Sequence, residues 1–319
     1  MKGLPPRSLH PGLQLVILVG LAVLGLSLAS ALALAIALGV FHLSLGEFGD
    51  LSAHPGRYPQ GWGVLMLTEG LSLAGLGVGA LLLPLVLGRR GAAYRAYFSP
   101  RPLGAAWWLG AAGLLILVLV PALSVVIAWN AGVHFPPWVH DFELWARAKE
   151  DQAEVLTRYL TNFSSAGRLL VGLLVIAVVP AVAEELVFRG GIQRNLVQLL
   201  GSRHAGVWVA AAVFSAVHLE FFGFVPRLLL GAVLGYLYEW SGNILVPMAA
   251  HFTQNAFQLI LLYLTQQQAP LAGTLNPDAN QALPWPWVLG SVLLSAALLV
   301  LLQRQMDAKT TPAARAVSE

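Results

Sequence analysis

Glu184, His218, His251 and Asn255 are the residues of this 319-residue chain best equipped for acid–base chemistry, and all four stand in apolar surroundings. The local words are AVAEELVFRGG around Glu184, FSAVH ending at His218, and MAAHFTQN holding His251 and Asn255. A carboxylate beside an imidazole can hold a water and take its proton as the water attacks a carbonyl. A second imidazole and a side-chain amide can donate to the oxyanion that then develops. The inventory suits hydrolysis of an amide bond. Spacing sorts the neighbours. Glu185 and Arg189 are four apart, share a helix face and can pair. Glu184 lies about 100° round the helix from Glu185 and points elsewhere, toward the bundle interior. His251 and Asn255 share a face in the same way, and Phe214 stands one turn before His218, placed to pack beside its imidazole.

The elements that must carry these residues are membrane helices. Hydrophobic residues are 57% of the chain and charged residues 10%, against about 25% charged in soluble domains. Mean hydropathy is +0.73. A disordered chain, a disulfide scaffold and a soluble enzyme are excluded, and the absence of cysteine removes thiol nucleophiles and thiolate metal sites. The fold class expected is all-α, a polytopic bundle with eight spans at roughly 13–41, 62–87, 103–129, 167–187, 204–219, 225–240, 244–264 and 285–303. The first span reads as an uncleaved helix, long enough to tilt. With the N-terminus in the cytoplasm, that side receives 12 Lys and Arg, Arg189 among them, and the other side 6. This bias favours both termini inside, in a cytoplasmic membrane of bacterial type. It also accounts for the net charge of +3 without nucleic acid.

Four stretches follow: 1–166 with the first helices and an outside polar loop, a catalytic core at 167–264, an outside loop and last helix at 265–306, and a cytoplasmic tail at 307–319. Residues 134–165 carry the pattern of an interfacial helix. Trp62, Trp107, Trp108, Trp129, Trp138, Trp240, Trp285 and Trp287 flank spans as interfacial belts do. Charges at membrane depth are costly, so the ionisable residues of the core are functional candidates. Glu69 and Asn243 receive no role, and Gln193 and Asn195 read as inner-interface residues.

The series Glu184-Glu185-x-x-x-Arg189, Phe214-x-x-x-His218, His251-x-x-x-Asn255 resembles the motifs of the CPBP intramembrane glutamic proteases. That family includes CAAX prenyl endopeptidases and bacterial Abi, or bacteriocin-immunity, proteins. The resemblance covers about 167–264. It implies an eight-helix membrane-embedded endopeptidase without a cofactor. In it Glu184 and His218 activate the water, His251 and Asn255 stabilise the oxyanion, and Glu185, Arg189 and Phe214 support the site. The implied substrate is a membrane-associated peptide or protein, prenylated or not. Other readings use the same residues. Glu184, His218 and His251 would make a His₂Glu zinc set. Intramembrane Glu and His could relay protons in a transporter, with Pro180 and the glycines near 190 breaking the helix. A silent scaffold or immunity factor would keep the fold without the chemistry. A serine mechanism fits poorly, because Glu239-Trp240-Ser241-Gly242 lacks the first glycine of a G-x-S-G, and no intramembrane pair of Asp is present.

Overall fold

A computed structural model describes residues 9–268 and 282–308. Among them the chain forms α1 (Pro11–Gly39), α2 (Leu45–Leu51), α3 (Gly61–Val86), α4 (Ala92–Phe98), α5 (Trp107–Ala131), α6 (His140–Leu160), α7 (Ala166–Leu200), α8 (Arg203–Ala216), α9 (Phe224–Ser241), α10 (Leu245–Gln266) and α11 (Trp285–Ala308). The architecture is a polytopic helical bundle. Most of the expected loop at 265–284 and tail at 307–319 lies outside the described residues, as do Lys2, Arg7, Lys309 and Arg315.

Five helices are long and apolar enough to cross a bilayer on their own: α1, α3, α5, α7 and α11. The shorter α8 and the more polar α9 and α10 are not, so among the described residues length and composition alone mark five crossings, and the expected count of eight is not confirmed. The outward faces of α1 and α11 are apolar, with Val16, Val23, Leu28, Leu289 and Leu293 all exposed. Such faces suit lipid rather than water.

Helix boundaries follow local chemistry. Ser165 opens α7 by accepting from the Arg168 backbone N–H at 3.3 Å. Gly201 closes it in the left-handed region at φ 63°, and Ser202 then caps α8. Gly242 ends α9 at φ 59°, where Arg101 crowds the space a Cβ would need. Helix α7 runs on past the expected end at 187 and carries Gln193 and Asn195 into the core, both buried. Pro180 and the paired glycines do not break the helix. It widens instead into π-type turns over Leu173–Val178 and Leu186–Gln193, flanking the segment that holds both glutamates. Such widened turns recur at functional sites.

Helix α3 is the spine against which the core is set. Gly75 and Gly79 let its backbone meet that of α1, where Gly25 O and Leu21 O already occupy the Cβ positions. On the other side, a Cβ on Gly77 would come within 3.0 Å of Ala183 in α7. Trp108 is 2% exposed and packs in a core with Leu115, Ile116 and Leu237, so it is not a belt residue. Trp129, Trp138, Trp285 and Trp287 are exposed as a belt requires.

Helix α6 is amphipathic, as the pattern in 134–165 predicts. It is anchored by Glu143, which accepts from the Phe135 N–H at 2.8 Å, from Arg147 Nε at 3.0 Å and from His134 Nδ1 at 2.9 Å. The Phe135 backbone donor first, and then the Arg147 guanidinium, hold the Glu143 carboxyl down to about 2.

Candidate active site

Two adjacent glutamates of α7 face different surroundings. Glu185 is 0% and Arg189 2% exposed, and Arg189 Nη1 donates to Glu185 Oε1 at 3.0 Å. The same oxygen meets His251 Nδ1 at 2.8 Å. Arg189 Nη2 donates to Gly231 O at 2.9 Å, and its guanidinium lies 4.9 Å from the Phe214 ring centre. One turn further, Gln193 Nε2 donates to Gly235 O at 3.0 Å and to Glu239 Oε1 at 2.9 Å. Arg189 and Gln193 thus bond α7 to α9, one turn apart. Gly235 permits the second bond, since a Cβ there would stand 2.8 Å from Gln193 Oε1. Arg189 therefore leaves the tally of cytoplasmic cations, which becomes 11 against 6 once it is removed from the 12.

Glu184 turns the other way, into a cavity of about 1160 Å³ that His218, His251, Asn255 and Glu69 also line. Glu184 Oε2 lies 3.9 Å from His251 Nε2 and has no hydrogen-bond partner among the described residues. That separation is too long for a direct bond, but a water beside both atoms can touch each. His251 stands between the glutamates, with Nδ1 on Glu185 and Nε2 toward Glu184.

His218 is not within its helix. Helix α8 stops at Ala216, and His218 occupies the turn beyond it. Beyond it Leu219 adopts φ 57°, a left-handed conformation that costs a non-glycine residue of order 1–3 kcal/mol. His218 Nδ1 lies 2.7 Å from Phe214 O. A carbonyl only accepts, so Nδ1 carries the proton and Nε2 of the neutral ring is left with the lone pair. Phe214 sits among the polar groups, its ring 4.9 Å from His218, 6.1 Å from His251 and 5.0 Å from Phe188. The loop after His218 is tied down from α6. Glu150 Oε1 accepts from Phe222 N at 2.9 Å, and Arg147 stacks 3.8 Å over the Phe222 ring.

Asn255 Nδ2 donates to Ile176 O at 3.1 Å. Pro180 has no N–H, so the Ile176 carbonyl lacks its ordinary partner four residues on, and Asn255 supplies a donor from another helix. One of the two amide hydrogens remains available for chemistry.

The structure brings Glu184, His218, His251 and Asn255 to one cavity and packs Glu185, Arg189 and Phe214 behind it. Among the further polar residues of the wall are Glu69 from α3, and Gln254 and Gln258 from α10. The glutamines extend the spacing that already links His251 to Asn255, so helical periodicity was the signal that pointed to them. Among the described residues no three His, Asp or Glu side chains group closely enough to hold one metal ion.

Known proteins match the same part of the chain. Residues 166–257 match the model of the type II CAAX prenyl endopeptidase Rce1-like family. An uncharacterized protein of Bacillus subtilis, YpbD, is 38% identical over 80 residues, which is 24% of this chain and 38% of that protein. The match thus spans well under half of the curated relative's length. No solved structure matches the chain significantly. All seven motif residues fall inside the matched stretch, so the likeness to the Rce1-like family of type II CAAX prenyl endopeptidases rests on residues 166–257.

Proposed function

We propose that the protein is an intramembrane endopeptidase that cleaves membrane-associated or prenyl-CAAX-like substrates with a water activated by Glu184 and His218. The observation that carries this reading is the convergence of Glu184, His218, His251 and Asn255 on one cavity, within a stretch matching a peptidase family. The water bonds to Glu184 and to the lone pair at His218 Nε2. As its oxygen attacks the scissile carbonyl carbon, its proton passes to this pair. The oxyanion accepts from the free Nδ2–H of Asn255 and, when the His251 ring carries both protons, from its Nε2–H. The captured proton then moves to the leaving amine as the C–N bond breaks, so the site returns to its starting state. Glu185 holds His251 in place, and Arg189 holds Glu185. No metal is required for these steps. The protein resides in a bacterial cytoplasmic membrane with both termini inside, on the charge bias of its loops.

The test is comparative proteomics of membranes carrying wild type or Glu184→Gln protein, followed by assay of candidate substrates with the purified enzyme. Cleavage products present only with wild type are expected. Identical product profiles, or cleavage by purified Glu184→Gln protein at the wild-type rate, overturn the reading.

A further inference from the structure

Glu69 belongs to no motif, yet it is a carboxylate well inside an apolar span. It lines the Glu184 cavity and is exposed to it. Among the described residues it has neither a hydrogen bond nor an ion pair, and the cavity it shares with Glu184 holds a second carboxylate. The other carboxylates of the wall are occupied. Glu220 pairs with Arg227, and Glu150 accepts from the Phe222 N–H. Across the cavity, Glu184 Oε2 and Gln254 Oε1 are buried without a donor. The wall therefore offers acceptors and negative charge at a depth where neither is tolerated without compensation. A group with several N–H donors and a positive charge matches this deficit, and the walls nearby, with Leu73, Leu76 and Leu123, would take its apolar stem.

We propose that Glu69 is a specificity-determining residue that receives the cationic side chain, Lys or Arg, of a peptide segment bound in the cavity. The substrates are accordingly membrane-associated segments that bring a basic residue into the site. The word substrate rests on the proteolytic reading, but the recognition itself can be measured without turnover.

The experiment uses full-length Glu184→Gln protein in nanodiscs and fluorescent peptides of one apolar sequence. A single Lys is scanned along the peptide and compared with norleucine and Glu at each position. Each peptide is prepared with a free and with an acetylated N-terminus, and binding is read by anisotropy. At one or two positions Lys should bind roughly tenfold tighter than norleucine, the size of one charge-assisted hydrogen bond. Adding Glu69→Gln should erase this preference, and adding Glu69→Lys should turn it toward Glu. Glu69→Gln should not lower the melting point, because no partner within the protein is lost. A Lys preference unchanged by Glu69→Gln overturns the assignment, and so does a preference seen only with a free N-terminal amine. Absence of any Lys preference has the same force. Glu69-dependent binding without cleavage by the wild type would refute proteolysis and leave the recognition standing. Wild-type cleavage indifferent to Lys would do the reverse.

Discussion

Glu184 and Glu185 are neighbours in sequence and opposites in surroundings. Glu185 is sealed, and one of its oxygens serves Arg189 and His251 together. The Glu184 side chain is 12% exposed, and one of its oxygens has no hydrogen-bond partner. A rotation of about 100° between consecutive helical residues separates the two roles. Glu185 Oε2 is likewise buried without a partner among the described residues, so the two differ in their charge partners and in access to the cavity rather than in hydrogen-bond count. Glu185, paired with Arg189 and His251, fixes geometry. Glu184, facing the cavity without a direct cation, keeps capacity for a reactant. The contrast teaches that reactivity in this core resides where a carboxylate meets open space, one residue away from where it meets a buried cation.

Exchanging the two glutamates in turn should break the comparison most sharply. Glu184→Gln removes the base and should lower turnover by about 10²–10⁴-fold, with the thermal midpoint in detergent unchanged. Glu185→Gln leaves Arg189 buried without its counter-charge and should destabilise the fold by about 3–5 kcal/mol. Equal melting of both variants would erase the distinction. A smaller effect is expected at Gly77, which lets α3 approach Ala183 just ahead of the pair. Gly77→Leu overpacks this contact and should cost about 1–3 kcal/mol, while Gly20→Leu on open helix surface should cost nothing measurable by the same thermal scan. The smallest effect concerns Glu143, a satisfied carboxylate outside the membrane. Its folded value lies at about 2, below the ordinary 4.5. The stability it contributes is therefore complete above 4.5 and is lost as pH falls from there toward 2. Hydrogen exchange in α6 should be flat from neutral pH to about 5 after correction for intrinsic rates, rise below that, and lose this dependence in Glu143→Gln. Exchange that already rises near neutral pH would contradict the assignment.

The helical class and the joint destination of the four polar residues were legible because apolar run length and motif spacing are local properties. The pairing of Glu185 with Arg189 was legible for the same reason, being one turn of a single helix. What escaped depends on distant partners. His218 lies outside its helix, in a turn followed by Leu219 in the left-handed region, which no periodicity signals for leucine. The position of His251 between both glutamates joins residues 66 apart in the chain. Trp108 reads as an interface residue from its place near a helix start, but its burial is decided by α9 and α10. Glu69 had no motif to join, and only the cavity gave it neighbours.

The bond between Asn255 and the Ile176 carbonyl has a consequence for how this lineage can change. Position 180 withholds a backbone donor and position 255 replaces it, so the two form a hereditary unit spread over separate helices. An alanine at 180 would restore the missing donor and release the amide. Loss of turnover in an Asn255 variant is thus evidence of catalysis only when the same loss persists beside that alanine.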